Sequence, residues 1–379
     1  MIAFFPAPYP DELVYSWFAR YAVRTGYTTY RAVAEDLFVS NTAKPNLEFI
    51  IELNKEAYKA VTAYKSFDEI VLQHTMFPYY ARFLPRERRQ NAFHLLLKMD
   101  KAFNDALYSR RFKTQCRQAL RYCPICADED RERHGETYWH RIHQLDHINI
   151  CPVHGCQLQN SIVDITSRPS PSLIPAEEVV PLRFDKIVFG SNLALNTAKY
   201  TAQVFLSEMD MNNDISVGQF LHSRMEYTKY LSPRGEKRYL TLITNDFKAY
   251  YEELEQSAIT EAWQIEKIFS NYQLHTYDIC LVALFLNVPV SDLVKMTLPK
   301  KSQAERFDEQ ILMLHNQGLN YRQIANQLGA SYDYCKLVSY RQKRIADDVS
   351  VTALAKRNFA YKTNDKGTRS CSKTDLSSN

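Results

Sequence analysis

Two tight cysteine-bearing turns carry the strongest chemical signal in this chain. Cys123-Pro-Ile-Cys126 is followed, 24 residues on, by Cys151-Pro-Val-His154. Each turn offers two ligands, and together they form the closed Cys3His set that a tetrahedral structural zinc ion takes. A lone Cys-x-x-Cys could be a redox pair, but a second matching turn selects metal binding. With all four positions filled by protein, no site is left for a water nucleophile. One structural Zn2+ held by Cys123, Cys126, Cys151 and His154 is therefore expected, with no catalytic residue and no enzyme activity. Cys116 and Cys156 complete no turn and read as spare thiols. His140, His143 and His147 would share one face if their segment were helical. They read either as a second metal site or as polar residues that cap the module or touch a partner. A metal-dependent nuclease would need an open coordination position and carboxylates. Asp128, Glu129, Asp130 and Glu136 read instead as a solvated acidic stretch.

The second constellation could read DNA. Residues 311–340 fit a helix-turn-helix: Asn320 caps a helix, Gln323 completes a capping box, and Gly329 supplies a turn with positive φ. Ile324 and Leu328 face the core, Ala325 allows close helix approach, and Ser331 caps the following helix with Cys335 and Val338 inward. The outward residues are Ser331, Tyr332, Asp333 and Lys336, followed by Tyr340, Arg341, Lys343 and Arg344. Residues at the start of such a helix reach base edges, and later basic ones reach phosphates. The plainer alternative is a helical hairpin with a solvated charged face. A weaker copy at Tyr277–Met296 has Ala283 and Asn287 at the small-residue and turn positions. It is a second reader or simply a packing unit.

The remaining residues must position these two groups, and they read as mainly α. In the first 115 residues Asp11 can cap a helix that Gly26 ends, and Thr29 can cap another with Val33 and Leu37 inward. Pro78 stops a helix, and a further one spans Arg86 to Asn104. The expected organisation is a set of helix-turn-helix domains with a small zinc-finger module inserted. Its parts are an N-terminal helical domain (1–119), the zinc module (120–163), a Pro/Ser linker (164–182), a helical domain with a degenerate helix-turn-helix (183–300), a C-terminal DNA-binding helix-turn-helix (301–361) and a disordered tail (362–379). Proline-spaced Phe4, Phe5, Pro6 and Tyr9 suit docking to a partner better than a free tail.

Composition narrows the function. The 379 residues carry a net charge of +4, but residues 300–379 hold 14 Lys and Arg against 8 Asp and Glu. A basic end on a near-neutral body suits contact with double-stranded DNA, although a solvated basic tail would look the same. Nine glycines and the absence of a phosphate-cradling motif exclude the usual nucleotide sites. The N-terminus lacks a secretory pattern and no apolar run suits a membrane span, so a cytoplasmic, nucleoid-associated protein without membrane contact is expected.

Several blocks taken together resemble the TniQ/TnsD family of target-site-selection proteins in Tn-seven-type bacterial transposons. They are Phe5-Pro-Ala-Pro-Tyr-Pro-Asp-Glu-Leu-Val-Tyr-Ser16, His74-Thr-Met-Phe-Pro-Tyr-Tyr, Arg121-Tyr-Cys-Pro-Ile-Cys126, Gly135-Glu-Thr-Tyr-Trp-His140-Arg-Ile-His-Gln-Leu and Cys151-Pro-Val-His154-Gly155. The resemblance is specific over residues 1–160 and looser over 260–340. It implies an adaptor that binds a chosen site and recruits an AAA+ ATPase transposition regulator (TnsC-like), with the N-terminal region meeting the ATPase. The second zinc site of some members has no counterpart here. Longer members read an attachment site through C-terminal helices, whereas shorter ones lean on a CRISPR guide-RNA effector complex. The helix-turn-helix and the basic C-terminal balance favour the first mode. A zinc-containing helix-turn-helix transcription regulator, binding as a dimer, is the rival from another class.

Overall fold

The computed structural model describes residues 2, 4–107, 119–164, 172–254, 259–270 and 275–344. The chain divides into two compact units: Met1–Met225 with Tyr239–Leu298, and Glu226–Arg238 with Pro299–Asn379. The architecture is mainly helical, with a two-stranded antiparallel sheet among the described residues.

The first unit opens with helices α1 (Val14–Thr25), α2 (Tyr30–Leu37), α3 (Lys55–Thr62), α4 (Phe67–His74), α5 (Phe77–Ala81), α6 (Arg86–Leu97) and α7 (Phe103–Leu107). Their boundaries follow local chemistry. Thr29 and Asn54 accept first-turn backbone N–H groups, Ser66 and Glu69 form a capping box, and Gly26 ends α1 at φ 69°. Trp17, Phe18, Val33, Leu37, Ile70 and Phe77 meet in one core.

Asp11 caps no helix. It has φ 53°, and its carboxylate accepts from Arg141 Nε and the Ile142 N–H, each at 3.0 Å. Asp11 instead ties the start of α1 to the segment between the cysteine turns. Leu13 N–H donates to Trp139 O at 2.8 Å, and Glu12 bridges to His140, so that segment lies along the N-terminal strand-like stretch. Pro78 ends no helix either. The helix before it stops at His74, and Pro78 sits in the first turn of α5, where its missing N–H leaves no bond unmade. The helix expected over Arg86–Asn104 breaks at Met99, which adopts φ 55°; Leu96 is buried while Phe93 and Leu97 are only partly so.

After these come β1 (Ala119–Tyr122), α8 (Pro124–His134) and β2 (Gln159–Asp164). A second helical group follows: α9 (Ala176–Val179), α10 (Asn192–Leu206), α11 (Val217–Arg224), α12 (Leu240–Tyr250), α13 (Ala262–Phe269), α14 (Thr276–Phe285) and α15 (Val290–Lys295). The stretch expected to be an extended linker is partly structured. Tyr15 hydroxyl donates to Ser172 O, Trp139 Nε1 donates to Ile174 O at 3.0 Å, and α9 follows Pro175. Residues 165–171 lie outside the described residues, as do Cys116 and the tail expected at 362–379.

Two buried arginines join the helical groups. Arg82 donates to the Phe205, Ser207 and Glu208 carbonyls, and Arg89 to those of Met211 and Asn213. Arg82 thereby satisfies acceptors at the carboxy end of α10, where a cation is also favoured by the helix dipole. These arginines brace the fold and are unavailable to a nucleic acid. The weak helix-turn-helix copy packs within the first unit. Asn287 does turn the chain at φ 54°, but α14 is buried along most of its length. Asp292 on α15 pairs with Arg224 at 3.1 Å.

The second unit holds α16 (Gln303–Asn316), α17 (Tyr321–Leu328) and α18, described over 332–344. Phe307, Ile311, Leu314, Ile324, Ala325, Cys335 and Val338 make its core. No helix among the described residues is long and apolar enough to cross a membrane.

Candidate functional site

The sheet brings the two cysteine turns together. β1 runs directly into Cys123, and β2 pairs with it antiparallel, Tyr122 opposite Gln159 and Arg121 opposite Asn160. Cys123 caps α8, and the Cys126 N–H points at its sulfur at 3.4 Å. The second turn closes on itself: Cys151 N–H donates to Cys156 O at 2.7 Å, and Gly155 N–H to Cys151 O at 2.9 Å. Buried Arg121 braces this turn by donating to the Ile148 and Leu145 carbonyls, each at 2.7 Å.

The sulfurs of Cys126 and Cys151 lie 3.7 Å apart. His154 Nδ1 stands 3.5 Å from the Cys123 sulfur, 3.3 Å from that of Cys126 and 3.8 Å from that of Cys151. Zinc bond lengths of about 2.3 Å to sulfur and 2.0–2.1 Å to nitrogen imply ligand–ligand edges of about 3.5–3.8 Å in a tetrahedron. The four distances among Cys123, Cys126, Cys151 and His154 given above lie at or near that range.

A second imidazole also reaches the thiols. Cys123, Cys126, Cys151 and His143 all offer donor atoms within 4.8 Å of one another, and His143 Nε2 lies 3.8 Å from the Cys151 sulfur. His154 approaches three sulfurs and His143 one. The far nitrogen of His154 donates its Nε2–H to Glu129 Oε1 at 3.0 Å, which leaves the Nδ1 lone pair toward the sulfurs. This carboxylate–histidine pairing is the usual outer support of a metal-bound imidazole.

Two members of the cluster were not expected. Cys156, read as a spare thiol, places its sulfur 3.2 Å from that of Cys123. The Cys123 thiol is raised above its ordinary range, first by its contact with Cys126 and then by those with Cys151 and Cys156. The Cys151 and Cys156 thiols shift the other way, each lowered first by its contact with Cys123, and a bound dication would favour the ionised form of every thiol it touches. Glu129 is the other, since nothing local in sequence aims it at His154.

The three histidines share no helical face, because only Ile142–Gln144 forms a short 3-10 turn and His147 adopts φ 63°. His140 hydrogen-bonds Asp130 at 2.8 Å, His143 meets Cys151, and His147 stacks on Tyr277 with centroids 5.2 Å apart. They form no second metal cluster among themselves. The acidic stretch is equally engaged. Asp130 also accepts from Thr137, Glu136 binds Arg20 and Arg24, and Asp128 lies 3.7 Å from Arg131.

Glu129→Gln is expected to weaken metal affinity roughly 10–100-fold without unfolding the protein, because it loosens the orientation of His154 and leaves the ligand set intact. Competition against a chromophoric chelator measures this; an unchanged constant would return the fourth position to His143.

At the other end of the chain, α17 begins at the Asn320–Gln323 capping box and ends at Gly329, φ 65°. A side chain there would be strained by the left-handed backbone, so glycine suits the turn into α18. Ser331 Oγ caps α18 by accepting the Tyr334 N–H at 3.2 Å. Ser331, Tyr332, Asp333, Lys336, Tyr340, Arg341, Lys343 and Arg344 are all exposed, while Cys335 and Val338 face inward.

The N-terminal aromatics divide differently. Phe5 is 5% exposed, stacks on Tyr21 at 4.6 Å and meets Trp17 edge-on at 5.4 Å. Pro6 is buried and its carbonyl accepts from Trp17 Nε1 at 2.6 Å. Tyr9 lies under the Arg20 guanidinium at 3.5 Å and donates to Glu136. Phe5 and Pro6 are therefore core residues that cannot also dock a partner, and Tyr9 is largely engaged within the domain. Phe4, 57% exposed, alone keeps an open apolar face.

A family model described as TniQ matches residues 3–158, which contain α1 through α8 and the whole Cys/His cluster. The transposon Tn7 transposition protein TnsD of Escherichia coli is 29% identical over 153 residues, covering 40% of this chain. The match spans 30% of that relative's length.

Proposed function

We propose, from the match of residues 3–158 to the TniQ family model and their similarity to TnsD, that the chain is a TniQ/TnsD-type target-selection adaptor for transposition. It binds a DNA attachment site through the second unit and recruits an AAA+ ATPase regulator through the TniQ domain. It performs no bond-breaking chemistry itself. The observation that supports this reading is the joining, in one chain, of a TniQ-matching region to the α17–α18 pair, whose outward residues are exposed. A transcription regulator would leave the TniQ domain without a purpose.

The Cys3His cluster holds one zinc ion on Cys123, Cys126, Cys151 and His154, with Glu129 orienting His154. Bound there, zinc cross-links the turn before α8 to the turn before β2. The residues between the turns then hold Asp11 through Arg141 and thus the start of α1. The ion is structural because four protein donors close its coordination shell.

In the second unit, Ser331, Tyr332, Asp333 and Lys336 face base edges, and Tyr340, Arg341, Lys343 and Arg344 lie along the phosphates. Phe4 contributes to the surface that meets the ATPase. The testing experiment is footprinting of the attachment region at two salt concentrations. Tyr332→Ala or Lys336→Ala should weaken the specific site by about 1–3 kcal/mol and leave random DNA nearly unaffected. Arg341→Ala should weaken all duplexes alike. Equal selectivity in wild type and both variants would show that this helix pair does not choose the site. That result would favour the guide-RNA-dependent mode.

A further inference from the structure

The segment Glu226–Arg238 groups with the second unit although it lies more than 60 residues before α16. It is a small hairpin: Leu231 bridges Arg238, Ser232 N–H donates to Lys237 O at 2.9 Å, and Gly235 N–H to Ser232 O at 2.7 Å. Gln303, the buried first residue of α16, clamps it. Its side chain donates to Pro233 O at 2.8 Å and accepts the Tyr227 N–H at 3.1 Å, while its own N–H donates to Glu226 at 2.9 Å. Gly235 has φ 84°, and an added Cβ would lie 2.9 Å from the Gln303 carboxamide, so only glycine fits both the turn and the contact.

Resting on the reading of α18 as a DNA reader, we propose that this hairpin is a second DNA-contact element, gripping the phosphate backbone beside the groove that α18 enters. Its position supports this. Pro233 Cγ lies 3.9 Å from where a Cβ on Gly329 would stand, at the turn into α18. Arg234 covers the ring of Tyr334, in the first turn of α18, at 4.3 Å and lies 3.6 Å from Asp308, which the Tyr334 hydroxyl also binds. The hairpin tip thus flanks the end of α18 whose residues face base edges. A helix seated in a major groove about 12 Å wide has a phosphate rail on each side, so an element beside that end meets a rail.

The charge is complementary. The hairpin carries Lys229, Arg234, Lys237 and Arg238 against Glu226 and Glu236, and Glu226 is ion-paired with Arg306. Lys229 and Lys237 are exposed, as is Tyr227. Arg234, held by Tyr334 and Asp308, fixes the tip, and the two lysines supply the reach.

The experiment measures duplex affinity of the full chain against salt for wild type, Lys336→Ala and the double variant Lys229→Ala/Lys237→Ala. Each phosphate neutralised contributes about 0.9 to the slope of log affinity against log salt. The double variant should lose about two units of slope on specific and random duplexes alike, keeping its site preference and melting temperature. In parallel, Lys237→Cys carrying a photo-crosslinker should form adducts with DNA flanking the footprint. An unchanged slope with no adduct, while Lys336→Ala still loses selectivity, overturns the clamp alone. Wild-type protein that binds no duplex overturns the DNA-reading assignment, and the clamp with it.

Discussion

Cys126→Ser is expected to release the metal and unfold the region between β1 and β2, with loss of cooperative melting of the TniQ domain. Structural zinc contributes about 10–16 kcal/mol of apparent binding free energy in small modules, and folding and binding are one event there. That is comparable to the whole stability of an ordinary domain, about 5–15 kcal/mol. The wild type should carry one zinc per chain by metal analysis, and a strong chelator should mimic the substitution. Among the described residues, Cys156 is the thiol placed to replace a lost ligand, since its sulfur already lies 3.2 Å from that of Cys123. The pair Cys126→Ser/Cys156→Ser therefore removes the escape route. Folded protein that holds no metal, or a double variant that melts like wild type, would refute the metal assignment.

Phe5→Ala should destabilise the first unit by about 3–5 kcal/mol, the range for removing a buried phenyl ring. Its ring is enclosed by Trp17, Phe18 and Tyr21, and the chain on either side is pinned: Tyr64 hydroxyl donates to Phe5 O and Trp17 Nε1 to Pro6 O. Phe4→Ala, at an exposed neighbour, should leave stability within about 0.5 kcal/mol and weaken only ATPase binding. Denaturant unfolding followed beside a pull-down of the ATPase separates the two. Equal, small stability changes in both variants would show that Phe5 is not a core residue. Deletion of the first ten residues is a poor probe of docking, because it removes part of this core.

What could be read from sequence was what is encoded locally. The cysteine turns announced themselves because each pair of ligands comes from one tight turn at fixed spacing. The boundaries of α17 were legible for the same reason: Asn320, Gln323 and Gly329 act on backbone groups within four residues. Side chains whose roles are set at long range were not. Asp11 has the type of a helix cap, but its partner is Arg141, 130 residues away. Phe5 and Pro6 lie near a terminus in a proline-spaced stretch, a pattern that says nothing of the Trp17 and Tyr21 rings they meet. Glu129 sat in a run of acids that read as solvated, because only the orientation of α8 aims it at His154. The hairpin at 226–238 carries no motif, and its place depends on Gln303, some 70 residues later.

The proposed role of this chain is to choose where a transposon inserts. It is tested most directly by mapping insertions in cells that supply the matching transposase and ATPase, with wild type, Lys336→Ala or no adaptor. Wild type should give insertions clustered at a fixed distance from the footprinted sequence. Lys336→Ala should lose that clustering while the protein remains folded and zinc-loaded, and omission of the adaptor should abolish it. Clustered insertions that persist unchanged without this protein would contradict the account.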